Sequence, residues 1–441
     1  MAWLRRIGMR GVLVGWLFVL SAVAYMDRTN VAIAGAGIRD ALQIDNIQLG
    51  WVFSAFLVGY AVSQVGAGWL ACRYGPRWVL AGGVLWWGLF SALTAMVDAR
   101  LAHVLMLLIV IRFALGAAEA VMYPAGSQFV AEWIPVTERG RANGWIFAGV
   151  GAGAGLSVPV LTWIVTHLGW RASFWFSAIV GAAAGLVWFV MARDKPEEHP
   201  LISREERDLI VATRVVEGQR PVSSHASWRV AIFNRSILAM TASYFMYGYV
   251  AWIFFSWFYL YLAQVRHMNL QADAMLTMIP FLAMTVCCLA GGALSDWMTK
   301  RCGSRVGRCG VAAVAMALTA VFLAVGVHAH GPYTASLILA GGAGALYLSQ
   351  SSFWAVTADL SGERTGVVSG VMNMGGQIGG AVTASLTPFI AAHLGWTAAF
   401  DCAALLAVVG GALWLVVKPV PPGAGAGDGL RTDAAALAGR E

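Results

Sequence analysis

The sequence predicts an all-α membrane protein with twelve transmembrane helices in two pseudo-symmetric six-helix halves. Three observations carry that expectation. Of the 441 residues, 59% are hydrophobic and 12% charged, where soluble domains carry about 25% charge. Uncharged runs long enough to cross a bilayer recur from one end of the chain to the other. Several short motifs also return in the same order at a separation of about 225 residues.

A spanning helix takes about 20 mostly apolar residues. The first run, 11–26, is followed at once by Asp27-Arg28, and the fourth, 101–131, is interrupted by Arg112 and Glu119. Between them lie 46–72 and 78–97, and 142–170 and 172–192 complete six. Beyond a polar segment come 236–265 and 274–295, then 309–358, which is long enough for two spans and breaks near Gly331-Pro332. Runs 365–400 and 402–417, parted at Asp401, finish the set. The expected division is 1–192 for the first half, 193–235 for a linker, 236–418 for the second half and 419–441 for a tail. In the linker, Ser203-Arg-Glu-Glu206 has the form of a capping box and predicts an amphipathic helix over 204–217. The tail is rich in Pro, Gly and Ala, which predicts disorder.

The repeat is specific. His167-Leu-Gly-Trp170 returns as His393-Leu-Gly-Trp396, Gly68-x-Leu70-Ala-Cys72 as Gly292-x-Leu294-Ser-Asp296, and Glu138-Arg139 with Gly144 as Glu363-Arg364 with Gly370. Hydropathy alone explains none of these identities. Paired repeats of this kind build transporters whose site lies at the midplane between the halves.

The net charge of +7 is a topology signal and not a nucleic-acid patch. With a cytoplasmic amino terminus and twelve alternating spans, about 23 of the 29 Lys and Arg fall on the cytoplasmic side, the bias that orients membrane proteins. Both termini are then expected in the cytoplasm. No cleavable signal peptide, disulfide framework, metal-ligand spacing or cofactor motif is present in the pattern. Paired catalytic groups and a phosphate-binding glycine loop are missing too, so an enzyme is not expected.

Charges inside spans are the informative residues, because each costs about 2.5–3.5 kcal/mol on insertion scales and persists only in a protein-lined polar setting. Arg28 is the first candidate for cargo, since a guanidinium holds a carboxylate bidentately and stays charged when poorly hydrated. The competing role is to neutralise its neighbour Asp27, although adjacent helical residues point about 100° apart. Arg112 and Glu119 share one helical face about 10 Å apart along the axis. They read either as two stations on one pathway, with Arg112 a second candidate for binding cargo, or as an ion pair tying helices together. Asp27 is a candidate proton carrier. Tyr25 and Tyr60 are candidate pocket residues, with packing as their alternative role. The second half is expected to hold no intramembrane Lys or Arg, so the cargo anion is read by the first half and neutral groups are read by the second.

A family likeness rests on these residues as a set: Tyr25-Met-Asp-Arg28-Thr-Asn30, Leu49-Gly-Trp-Val-Phe-Ser-Ala-Phe56, Arg112-Phe-Ala-Leu-Gly-Ala-Ala-Glu119, Tyr123-Pro-Ala125, Trp133-Ile-Pro135, Gly169-Trp-Arg171 and Gly370-Val-Met-Asn373. The chain resembles the major facilitator superfamily and, within it, the anion:cation symporter family. That resemblance implies import of a small organic anion (a sugar acid, an aromatic or another carboxylate) by proton symport, in a bacterial inner membrane, as a monomer by default. It also implies that Glu119 is a proton site and supports Trp354 and Asn373 as pocket residues. Gly68, Cys72, Arg73, Gly75 and Arg77 look like the family's gating motif, with Asp296 in the second copy. Cys72 stands where the family has an aspartate, a departure expected to weaken the latch that closes the cytoplasmic side. The competing expectation is a proton-coupled exporter of a metabolite or drug, against which two core arginines would repel lipophilic cations.

Overall fold

A computed structural model describes residues 2–44, 46–218, 234–258, 261–262, 265–266, 274–361 and 364–419. In chain order the α-helices are α1 (Ala2–Leu42), α2 (Asn46–Tyr74), α3 (Pro76–Met96), α4 (Val104–Glu119), α5 (Met122–Trp133), α6 (Arg139–Leu168), α7 (Trp170–Met191), α8 (Arg204–Gly218), α9 (Arg235–Ser256), α10 (Ala274–Cys302), α11 (Val311–His328), α12 (Pro332–Ser361) and α13 (Thr365–Leu413). Among the described residues, ten helical segments are long and apolar enough to cross a membrane. Two more bring the spans to twelve: α12 and the first leg of α13. They read as less apolar because they bury polar groups, including Ser349, Gln350, Ser352 and Thr357 on α12 and Ser369 and Asn373 on α13.

Local chemistry sets the breaks. Span four is two helices, α4 and α5, because Pro124 has no N–H to return to the carbonyl four residues back, at Ala120. The turns between spans five and six and between eleven and twelve fall on the repeated glycines. Gly169 has φ 84° and Gly395 φ 86°, a region that favours glycine. This moves the last boundary from Asp401 to Gly395. Asp401 lies inside the final leg of α13 and reaches His328 at 3.4 Å.

The linker is fastened to the first half by its acids. Ser203 Oγ accepts the Glu206 N–H at 3.1 Å, the serine half of a capping box. The glutamate does not reach back. Its carboxylate accepts the N–H groups of Met9 (2.9 Å) and Arg10 (3.0 Å) at the bend of α1 on Gly8, φ 74°. Asp194 accepts the Arg77 N–H at 2.8 Å and so caps α3. Residues 219–233 of the expected linker, and the expected tail from 420, lie outside the described residues.

Helix pairs α2/α13 and α6/α10 join the halves. They meet closely near the ends of α2 and α10 that lead into the turns at Gly75 and Gly303, here termed the linker side. A Cβ at Gly68 would fall on the Gly366 carbonyl, and one at Gly292 on the Gly140 carbonyl. Small residues let backbones approach this closely, and the internal repeat supplies both contacts. Toward the opposite, far side, α2 and α13 part around an apolar cleft of about 610 Å³ lined by residues such as Leu57, Ala61, Gln377 and Phe389.

Candidate functional site

At the centre, α1, α2, α4 and α5 face α9, α12 and α13. Arg28 projects from α1 into a cage of aromatic faces, its guanidinium carbon 4.5 Å from the Tyr60 ring centroid, 4.6 Å from Tyr25 and 5.5 Å from Phe56. Its Nε donates to Glu119 Oε2 at 2.7 Å. Glu119 is the last residue of α4 and fully buried. This pair leaves two buried polar atoms without a partner, Arg28 Nη2 and Glu119 Oε1. A charge-assisted bond of this length is strong, yet both groups keep capacity for one more ligand.

Asp27 points elsewhere. It is 1% exposed and accepts Ser91 Oγ at 3.0 Å on each carboxylate oxygen, which turns it onto α3. Arg112 is itself buried over the Phe56 ring at 5.0 Å, with Nε and Nη1 unpartnered. The neighbours Asp27 and Arg28 therefore serve two different sites, as their angular separation on a helix allows. Arg28 pairs with Glu119 and not with its neighbour Asp27. Glu119 and Arg112 make no direct pair.

Beside the Arg28 cage lies a central cavity of about 40 Å³, lined by Tyr25, Tyr123, Tyr244, Tyr247, Tyr347, Gln350, Asn373 and Gln377 together with Phe147, Trp252 and Phe255. Neither Arg112 nor Arg28 lines it, whereas Tyr25, on whose ring Arg28 packs, does. A volume of that size holds about one or two waters, so a larger solute requires the walls to move. On the far side Tyr25 meets Phe255 at 5.8 Å and Phe255 meets Phe281 at 5.2 Å, an aromatic lid drawn from both halves. Toward the linker side the floor is Trp354. Its Nε1 donates to Tyr244 Oη at 3.2 Å, and its ring packs on Phe147 at 4.8 Å and Tyr123 at 5.7 Å. Asn373 joins the halves by donating to Gln64 Oε1 at 3.1 Å and Tyr60 Oη at 3.4 Å. Two further cavity groups, Tyr247 Oη and Gln377 Oε1, have no partner.

The linker side is closed by a buried ionic network. Asp296 accepts the N–H groups of Gly140 (3.0 Å) and Arg141 (2.6 Å) at the start of α6, and Arg308 Nη1 at 2.6 Å. Arg139 Nη1 bonds Asp359 Oδ1 at 2.8 Å across the halves. Arg308 is a buried cation in the second half, 0% exposed, where the sequence predicts no Lys or Arg within the spans. It lies in the first turns of the ninth span, at the gate and not at the midplane, where Asp296, Ser295 and the Val136 carbonyl hold it. Of the first-half motif, Gly68 makes the α13 contact, Gly75 has φ 84° beside Asp194, and Arg77 is capped by Asp194. Arg73 faces outward over Trp69. Cys72 sits by α13, bonded through Sγ to Gln128 Oε1 at 3.5 Å. Sequence reasoning missed Gln128, Arg308 and Asp359. For Asp359 a signal existed, a lone acid closing a long uncharged run.

Two six-helix bundles around a polar, aromatic midplane site, closed on one side by cross-half ion pairs, define a multi-pass membrane transporter and not an enzyme. The chain belongs to the Major Facilitator Superfamily, whose sequence pattern it matches over residues 17–384. It is 30% identical over 418 residues to a probable sulfoacetate transporter, SauU, of Cupriavidus necator, covering 94% of this chain and 95% of that one. To the probable galactarate/D-glucarate transporter GudP of Escherichia coli it is 27% identical over 413 residues, with 90% of each covered. Among solved structures it is similar to the proton:xylose symporter XylE bound to 6-bromo-6-deoxy-D-glucose, with a TM-score of 0.71 at 14% identity, covering 96% of this chain and 98% of that one. Both of these relatives are named as probable transporters of small organic anions, in keeping with the likeness seen in the motifs.

Proposed function

We propose that this protein imports a small organic anion by proton symport through alternating access, in a bacterial inner membrane with the linker side and both termini cytoplasmic. The observation that carries this reading is the Arg28–Glu119 pair beside the midplane cavity. A buried guanidinium needs one anionic partner, because an isolated buried charge costs several kcal/mol. In the empty carrier Glu119 supplies it. When a proton reaches Glu119, that partnership ends and the cargo carboxylate takes its place on Arg28. Empty carrier (Arg28 cation, Glu119 anion) and loaded carrier (Arg28 cation, cargo anion, Glu119 neutral) are then both balanced. Cargo without a proton leaves one negative charge too many, and a proton without cargo leaves Arg28 unpaired. Each of those states is raised by several kcal/mol, so cargo and proton cross together.

Asp27, with Arg112 and Ser91, is the second proton candidate in this scheme. Arg112 acts through Asp27 and Phe56 and not by direct contact with cargo in the closed cavity. Tyr25, Tyr60, Trp354 and Asn373 shape the pocket, and Tyr247 and Gln377 offer hydrogen bonds to hydroxyl groups. A sugar acid suits that combination, with a carboxylate at one end and hydroxyls over aromatic faces, as the galactarate/D-glucarate relative supports. The division of the chain follows the proposed scheme: 1–192 and 236–418 rock against each other, and 193–235 joins them.

Purified protein in liposomes is to be loaded with an alkaline interior and offered labelled sugar acids, sulfoacetate and an aromatic carboxylate. Accumulation of at least one acid that collapses with a protonophore, and that disappears in Arg28→Gln, is the expected result. Accumulation indifferent to the pH gradient would sink the coupling claim.

A further inference from the structure

The internal repeat relates Cys72 to Asp296, yet only Asp296 can hold a helix end by charge. In the second-half copy, Asp296 bonds two N–H groups in the first turn of α6. The first N–H groups of a helix have no partner within it, so this contact ties the second half to the first. In the first-half copy the corresponding target is the start of α13, beside which the neutral Cys72 thiol lies, and a second residue bonds it. Gln128 on α5 accepts the Gly366 N–H at 3.0 Å and the Cys72 thiol at 3.5 Å, both through Oε1. Its Nε2 donates to Glu132 Oε1 at 3.3 Å, which fixes the amide orientation. Gln128 is 4% exposed and Gly366 is buried.

We infer that Gln128 is the latch of this half: a positioning residue that holds the start of α13 when the linker side is closed, in place of the carboxylate missing at position 72. The inference rests on the alternating-access reading above and adds an asymmetry to it. A neutral amide gains little from the helix dipole, whereas a carboxylate at a helix N-terminus gains from it. The α13 latch is therefore the weaker of the two, and the linker side opens first where α2 and α5 meet α13. The α6 latch, held by Asp296 and Arg308, opens later.

Hydrogen exchange on the full-length protein, without cargo, tests this at the bonded amide itself. The peptide beginning near Gly366 is compared with the one beginning near Gly140 in wild type, Gln128→Leu and the double variant Cys72→Asp/Gln128→Leu. Gln128→Leu is expected to speed exchange at Gly366 by about two- to twelvefold, the factor one net neutral hydrogen bond converts to, and to leave Gly140 unchanged. The double variant, with a carboxylate restored at 72, is expected to return Gly366 to the wild-type rate or below it. Unchanged exchange, equal acceleration at both peptides, or acceleration that Cys72→Asp does not reverse overturns the assignment. No cargo enters this measurement, so its failure leaves the cargo and coupling assignment standing, and the liposome assay judges that separately.

Discussion

Replacing Glu119 by Gln separates binding from coupling. The perturbed contact is a 2.7 Å bond between a fully buried carboxylate and a guanidinium whose side chain is 9% exposed. Removing one member of such a pair costs about 3–5 kcal/mol, mostly because the other charge stays buried alone. In Glu119→Gln that stranded charge is Arg28, and a cargo carboxylate can cancel it. Wild-type Glu119 competes with cargo for Arg28, and the variant does not. A hydrogen bond to a charged group is worth about 1.5–3 kcal/mol, so cargo should bind the variant about ten- to a hundredfold more tightly at alkaline pH. The variant should also be less thermally stable when empty and gain more from ligand than wild type does. Equilibrium binding and ligand-dependent unfolding measure the first part. The second part is read in liposomes, where counterflow exchange should persist and accumulation driven by a pH gradient should vanish. Weaker cargo binding in Glu119→Gln, or undiminished proton-driven accumulation, would refute the reasoning.

Gly292→Val places a Cβ against the Gly140 carbonyl, so it should wedge the linker side open; maleimide labelling of Cys288, 0% exposed one turn away, should rise from near zero in a background lacking the other cysteines. Asp359→Ala removes the 2.8 Å bond that Arg139 makes across the halves, and a hydrogen bond to a charged group is worth about 1.5–3 kcal/mol; the same labelling assay should respond, and a variant as protected as wild type would remove Asp359 from the gate. A pH effect is expected outside the spans at His199. Burial holds its imidazole below the ordinary value, Nδ1 accepts the Leu201 N–H at 3.2 Å, and Nε2 donates to the Met191 carbonyl at 2.8 Å. Because the folded value is depressed, this group's stabilisation is complete above roughly pH 6.5 and is lost as the pH falls through the folded value. Thermal midpoints measured from neutral to acid pH should fall, and His199→Gln should flatten that fall.

The sequence by itself determined the number of spans, the two-half plan and the four charged residues within the spans of the first half. Those properties are local or periodic: a run of apolar residues must span, a glycine at positive φ must turn, and a repeated motif must fold twice the same way. The glycine turn also explains why the boundary at Asp401 was misplaced, since an acid in an apolar run looks like an end, whereas Gly395 is where the backbone changes direction. Partnership was decided only by tertiary structure. Asp27 and Arg28 are neighbours in the chain, yet one bonds Ser91 on α3 and the other Glu119 on α4. Gln128 and Gly366 lie 238 residues apart and meet because two helices from different halves cross there. A buried charge announces that it must be balanced, but which group balances it depends on distances that no local pattern encodes.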